Sequence, residues 1–239
     1  MMTDISNDKG SGENHMPSHR KEQIVEVSVF LLLIVPSMII SFFVVKQGGI
    51  SFVLVAFSSI LRDLAMVSLI LFFLWRNGEP LELIGWKFKN ARKEAVLGIW
   101  LFIPFFFGAG LIENGLRMAG FTAPATPMPS LIAEKNTAEF LLATVLVMVV
   151  ALAEETIFRG YLLLRFKSIM ASTAAVLTSA VIFSLGHGYE GSAGVITVGV
   201  MGVVFALIYL WRQSLVAPVV MHFLQDFIGI VLVPMLGIR

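Results

Sequence analysis

The sequence predicts an all-α membrane protein built as a bundle of seven transmembrane helices. Of its 239 residues, 57% are hydrophobic and only 14% are charged, and the mean hydropathy is +0.88. Those fractions lie outside the usual range of soluble domains. The chain also contains seven apolar runs near the length of roughly 20 residues that a helix needs to cross a hydrocarbon core about 30 Å thick. An eighth span results if the 111–132 loop or the break at Arg62 is divided differently.

The N-terminal segment differs from the rest of the chain. Residues 1–26 are polar, with too few apolar side chains to bury, so we expect a disordered head. Residues 27–239 are expected to form a single transmembrane domain whose motif-bearing core covers 95–235. The first apolar run is longer than a signal-peptide core and is not followed by a small-residue cleavage site, so we interpret it as a retained span.

The spans can be placed by their boundaries and oriented by their flanking charges. Most of the 17 lysines and arginines fall in segments that are cytoplasmic if the N-terminus is cytoplasmic, which favours that orientation. The polar segment 76–94 is then a cytoplasmic loop, and 113–139 an external one. In the sixth span, the spacing of Gly202 and Ala206 predicts close helix packing. The predicted spans cover residues 27–45, 51–75, 95–112, 140–166, 168–189, 191–211 and 213–238.

Composition excludes several functions. With 17 basic and 16 acidic residues, no excess of positive charge indicates nucleic acid as a partner. The absence of cysteine removes thiolate nucleophiles and cysteine-based metal sites. The expected partners are membrane lipid and a peptide or protein substrate, and the sequence leaves the oligomeric state open.

The second apolar run contains the adjacent charged residues Arg62 and Asp63. Ionisable residues inside a membrane span are candidates for a functional site. A structural pair that neutralises itself, or a helix that begins later, also explains them. The sequence leaves these three interpretations open.

The fourth run leads into Glu154, Glu155 and Arg159 without an intervening glycine or proline. The pattern predicts one helix from Ala138 to Phe166, about 43 Å long at 1.5 Å per residue. Glu154 would then lie roughly 18 Å from the cytoplasmic end of the helix. We therefore expect these charges inside the membrane and not at its edge.

The ionisable residues of the C-terminal half lie on three predicted helices. Boundary arithmetic places four of them in one layer, so we expect a site rather than isolated packing residues. Glu155 and Arg159 are spaced as an i, i+4 ion pair, which predicts a scaffold role and leaves Glu154 free to face the other helices. His222 and Asp226 share one face of the last helix by the same spacing. The expected site comprises Glu154, Glu155, Arg159, His187, His222 and Asp226.

These residue types suit hydrolysis of a carbonyl compound. A carboxylate without a cationic partner can act as a general base, and a nearby imidazole can share the proton. We therefore expect Glu154 and His187 to activate a water molecule. His222 is placed to stabilise the resulting oxyanion.

Three motifs carry a resemblance to a known family. Glu154-Glu155-x-x-x-Arg159, Phe183-x-x-x-His187 and His222-x-x-x-Asp226 resemble, in order, the motifs of the CPBP (Abi) family. This family includes CAAX prenyl endopeptidases and bacteriocin-processing or immunity proteins. The resemblance implies an intramembrane endopeptidase that opens towards the cytoplasm. The short loops look more like a bacterial member, in the plasma membrane, for which a prenylated substrate is doubtful.

The resemblance assigns the same roles to Glu154, His187 and His222. Its last position is Asn or Asp, and here it is Asp226. An ionised Asp cannot donate a hydrogen bond to an oxyanion, so Asp226 is protonated, orients His222 or binds metal. The cofactor is accordingly none or zinc, with Glu154, His187, His222 and Asp226 as the candidate ligands. Members of the family have been described both as metalloproteases and as glutamate-dependent proteases.

Two other functions compete with an endopeptidase. One is a non-catalytic binding protein, such as a bacteriocin-immunity factor. The other is a transporter in which the same carboxylates and histidines relay protons. The order of the motifs and the absence of a visible inverted repeat favour the protease over the transporter. The sequence does not separate the protease from the binding protein.

Overall fold

The computed structural model describes residues 16–47, 51–123 and 136–236, and within these ranges it is helical, with short turns and no β-strand. Five of its helices (α2, α3, α4, α6 and α7) are long and apolar enough to cross a membrane. The all-helical membrane fold is thus confirmed, whereas the count of seven or eight spans stays a prediction. The helices are α1 Met16–Gln47, α2 Phe52–Arg76, α3 Ala91–Met118, α4 Thr137–Ile169, α5 Ser172–Leu185, α6 Gly191–Arg212 and α7 Val216–Leu236.

The first helix begins earlier than the sequence suggests. α1 starts at Met16, within the segment expected to be a disordered head, and residues 1–15 of that segment lie outside the described residues. Pro17 falls in the first turn of the helix, where a missing backbone N–H costs little. Contacts of Glu26 stabilise this polar segment as a helix: the residue is 3% exposed, and its carboxylate is bonded to Arg76 and Asn77.

The connection from α2 to α3 is compact. A short 3₁₀ turn, Leu81–Ile84, ends at Gly85, whose φ of 93° lies in the left-handed region that favours glycine. The Gly85 carbonyl accepts a hydrogen bond from the Leu215 N–H at 3.0 Å. This segment therefore packs against the start of α7. α3 runs on to Met118, so the start of the predicted 113–139 loop is helical, and residues 124–135 of that loop are outside the described residues.

The charged motif lies inside a continuous helix, as predicted. α4 runs from Thr137 to Ile169, three residues beyond the expected end at Phe166. Its middle part, Glu155–Leu162, is a π-helix, which the sequence did not predict. π-Helical turns occur frequently at functional sites because they rotate the side chains that follow. A second π-helical segment, Phe227–Leu232, interrupts α7.

The helix α5 is shorter than the span predicted for residues 168–189. Its 14 residues give a length of about 21 Å, less than the roughly 30 Å of a hydrocarbon core. The helix ends at Leu185 and is followed by a turn at Gly186 and His187 and a short 3₁₀ turn, Gly188–Glu190, before α6 begins at Gly191. Gly191 has a φ of 77°, and a Cβ atom there would lie 2.6 Å from the Thr122 carbonyl oxygen. Gly191 thus lets the start of α6 pack closely against the Thr122 backbone.

Glycines let the helices approach closely at three places. A Cβ on Gly202 would lie 3.2 Å from Ala180 Cα, so the close packing predicted for α6 is present, against α5. A Cβ on Gly98 of α3 would lie 2.8 Å from the Ala217 carbonyl oxygen of α7. A Cβ on Gly160 of α4 would lie 2.9 Å from the Ile84 carbonyl oxygen. These contacts fix the helices that carry the candidate site.

Buried ion pairs hold one end of the bundle together. Arg165 of α4 is 2% exposed and forms a bidentate pair with Glu79, one arm of which measures 2.8 Å. Its guanidinium also lies 3.6 Å from the Glu26 carboxylate of α1. Glu94 at the start of α3 pairs in the same way with Arg212 at the end of α6. These ion pairs lie at the end of the molecule where α2, α4 and α6 finish.

Candidate active site

The two glutamates of α4 have different surroundings. Glu155 is fully buried, and its Oε1 accepts a hydrogen bond from Arg159 Nη1 at 2.8 Å, the ion pair that the i, i+4 spacing predicts. Glu154 is partly exposed, with 15% of its side chain accessible, and its Oε2 has no hydrogen-bond donor. The expected division between a paired Glu155 and a free Glu154 is therefore present in the structure.

Arg159 lies in an aromatic enclosure. It is 1% exposed, and its guanidinium carbon is 4.1 Å from the centre of the Phe183 ring and 5.3 Å from that of Phe205. Such cation–π contacts partly replace the hydration that a buried cation loses. Arg159 therefore has a structural role, because its side chain is not accessible to a substrate.

His222 is the centre of the carboxylate cluster. Its Nδ1 lies 2.9 Å from Glu155 Oε1, and because a carboxylate accepts, Nδ1 carries the hydrogen. Its Nε2 faces Asp226 Oδ2 at 3.4 Å and Glu154 Oε2 at 3.8 Å. The shared face of His222 and Asp226 is as predicted. The direct hydrogen bond between His222 and Glu155 was not predicted, because consecutive helical residues were expected to point apart.

His187 is held in the turn after α5. Its Nδ1 lies 3.1 Å from the Phe183 carbonyl oxygen, which can only accept, so Nδ1 donates and Nε2 is left as an acceptor. Its ring packs on Phe183, with centroids 4.9 Å apart, and Phe183 also packs edge-on against His222. The structure brings His187 onto the same aromatic ring as His222, but not into hydrogen-bond or ion-pair contact with Glu154 among the described residues.

Further polar groups from other elements border the cluster. Arg62 and Asp63 of α2 both interact electrostatically with Glu154, and Arg62 Nε donates to Asp63 Oδ1 at 2.9 Å. α2 begins at Phe52, which removes the alternative of a helix that starts after this pair. Tyr189 and Glu190, beside His187, also interact electrostatically with Glu154. The sequence did not predict Tyr189 and Glu190 as site residues, because only their position next to the second motif indicates them.

The four candidate zinc ligands do not share one coordination geometry. Within the described ranges, no group of three or more His, Asp and Glu side chains has a geometry that could hold a metal ion. Glu154, Asp226 and one nitrogen of His222 converge, whereas His187, whose Nδ1 donates to the Phe183 carbonyl, forms no hydrogen bond or ion pair with these three groups in the described part of the chain. The four predicted ligands therefore do not fit a zinc site in this arrangement, and no step below uses a metal.

Comparison with known proteins gives one match. Residues 136–228 match the model of the Rce1-like family, described as type II CAAX prenyl endopeptidases. The matched region covers all six predicted site residues and confirms the resemblance seen in the three motifs. Searches of curated proteins and of solved structures gave no match.

Proposed function

We propose that this protein, whose residues 136–228 match a family of CAAX prenyl endopeptidases, is an intramembrane endopeptidase. It hydrolyses a peptide bond of a peptide or protein near the cytoplasmic face, in a bacterial plasma membrane with its N-terminus in the cytoplasm. The observation that carries the proposal is the environment of Glu154. Its Oε2 has no hydrogen-bond partner and faces His222 in an apolar helix bundle, where an unused carboxylate is costly to keep.

Water can reach this layer through the turn after α5. An interruption of the α-helical backbone at membrane depth is tolerated where it is buried in protein or lines a water-filled cavity. The turn at His187 is only partly buried, as are Glu154 and Asp226 with 15% and 21% of their side chains accessible. These exposed fractions support a hydrated cavity bordered by the catalytic groups.

The first chemical step is the activation of water between Glu154 and His187. Glu154 Oε2 accepts a proton from the water, and His187 Nε2 accepts the second water hydrogen as a hydrogen bond. The water oxygen bonds to the peptide carbonyl carbon, and the electron pair of the C=O double bond moves to the carbonyl oxygen. Collapse of this oxyanion reforms the C=O bond and breaks the C–N bond, while Glu154 returns its proton to the leaving nitrogen.

His222 is suited to stabilise the oxyanion. Its Nδ1 hydrogen is committed to Glu155, so it donates from Nε2 only as an imidazolium ring. The carboxylates of Glu154, Glu155 and Asp226 supply the opposite charge around it. We assign Asp226 the role of orienting this ring, since an ionised carboxylate cannot itself donate to the oxyanion.

The test uses purified protein in liposomes with a library of internally quenched peptides. Glu154→Gln, His187→Ala and His222→Ala should each abolish cleavage while the protein still inserts and melts cooperatively. Ser58→Ala, which removes an exposed hydroxyl bonded within α2, is the matched control and should cleave like the wild type. Wild-type cleavage by all three site variants would refute the catalytic assignment. A wild-type protein that binds peptides without cutting them would identify the non-catalytic binding function instead.

A further inference from the structure

Resting on the proposed endopeptidase function, we infer that Arg62 is a catalytic residue that donates a hydrogen bond to the oxyanion, a role Asp226 cannot fill. Arg62 lies on α2, outside the region that matches the protease family. Arg62 lies at the depth of the catalytic groups, has donor groups without a partner in the described residues, and borders a site whose motif residues are mostly acceptors.

Depth places Arg62 in the layer of the catalytic groups. At 1.5 Å per residue, it lies about 21 Å from the end of α2 at Arg76, and Glu154 lies about 22 Å from the end of α4 at Ile169. Those two helix ends are neighbours, because Glu26 contacts both Arg76 and Arg165. The electrostatic interaction between Arg62 and Glu154 agrees with this placement.

The guanidinium of Arg62 is only partly used. Its Nε donates a hydrogen bond to Asp63 Oδ1 and its Nη2 forms an ion pair with the same oxygen, each at 2.9 Å, so that the two N–H groups of Nη1 have no partner in the described part of the chain. The Arg62 side chain is 32% exposed, whereas Asp63 is 4% exposed. Asp63 therefore anchors one side of the guanidinium and leaves the other side partly accessible.

The remaining groups of the site are mostly acceptors. Glu154 and Asp226 are carboxylates directed at His222, and Arg159 is enclosed by two phenylalanine rings. His222 Nε2 is thus the one donor that the three motifs supply. An oxyanion is better stabilised by two preorganised donors, and removal of one typically lowers kcat about 10²- to 10³-fold. Arg62 is the cation in this layer that is both anchored and accessible.

The experiment combines substitutions at Arg62 and Asp226. Removing Arg62 alone would leave the buried Asp63 unpaired, so the variant is the double change Arg62→Gln with Asp63→Asn. In the peptide-library assay its kcat should fall about 10²- to 10³-fold with KM nearly unchanged. Adding Asp226→Asn supplies a side-chain donor beside His222 and should restore at least tenfold of the lost kcat. A structural role for Arg62 would show no such rescue.

Controls separate this inference from the proposed function. Arg117→Gln, at the exposed Arg117–Glu113 pair of α3, should leave kcat unchanged. Arg62→Lys keeps a cationic donor beside Asp63 and should lose less kcat than the double variant, and it serves if the double variant does not fold. Full activity of the Arg62 variants, or a loss that Asp226→Asn fails to rescue, overturns the role of Arg62. Retained cleavage by Glu154→Gln would instead refute the protease mechanism itself.

Discussion

Removing the buried cation Arg159 should destabilise the protein strongly. In Arg159→Met, the Glu155 carboxylate, which is fully buried, loses its ion-pair partner and keeps only His222. Breaking a buried ion pair from one side costs about 3–5 kcal/mol, because an uncompensated charge stays in a low-dielectric interior. The change also removes the contact of the guanidinium with the Phe183 ring at 4.1 Å. Because methionine fills a similar volume, the loss of stability is caused more by the lost charge than by lost packing.

The assay is thermal unfolding in detergent, followed by the loss of helical circular dichroism. A loss of this size corresponds to a fall in Tm of roughly 10 °C for a chain of this length. The double variant Glu155→Gln with Arg159→Met leaves no orphan charge and should lose clearly less stability than the sum of its single changes. A coupling of about 1–3 kcal/mol is expected for groups in one network. An unchanged Tm for Arg159→Met, or strict additivity in the double variant, would refute the scaffold role.

Two further predictions concern stability and use the same detergent assay. Gly160→Ala should lower stability by about 1–3 kcal/mol, because the added Cβ would lie 2.9 Å from the Ile84 carbonyl oxygen. Gly108→Ala, where nothing lies within 4 Å, is its control, and equal melting of the two would contradict the close contact. Arg165→Met should cost about 3 kcal/mol, because the partly buried Glu79 loses its ion-pair partner and the buried Glu26 loses one of its two cationic neighbours among the described residues. Arg212→Met, which breaks a more exposed pair, should lower Tm less, and the reverse order would count against the burial argument.

Periodicity and charge spacing predict much of the site because they act within single helices. The Glu155–Arg159 pair and the shared face of His222 and Asp226 both follow from the i, i+4 geometry of a helix. The long α4 follows from an apolar run that continues past the charged motif without a proline, and the predicted end at Phe166 lies three residues before the observed end at Ile169. Local rules of this kind need no knowledge of the tertiary structure.

The errors arise where tertiary contacts decide. Glu155 reaches His222 although consecutive helical residues point about 100° apart, because α7 places the imidazole where both glutamates can contact it. The π-helix from Glu155 has no sequence signal and changes which side chains follow it towards the bundle. The early start of α1 likewise depends on Glu26 finding basic partners on α2 and α4. None of these contacts is encoded in a local pattern.

The zinc alternative shows the same limit. The four candidate ligands are two histidines and two carboxylates, which by residue type are sufficient for a zinc site. In the structure, three of these groups converge at His222, whereas His187 forms no hydrogen bond or ion pair with them in the described part of the chain. The placement of His187, rather than residue type, therefore decides against the metal site.

The central claim is that Glu154 activates water for peptide-bond cleavage. The most direct measurement compares the peptide termini in membranes of cells that produce either the wild-type protein or Glu154→Gln at equal levels. The account predicts at least one new terminus in the wild-type membranes that is absent from the Glu154→Gln membranes, with its uncut precursor accumulated there. Identical termini in the two membranes, or a cleavage product that persists in the Glu154→Gln sample, would contradict it.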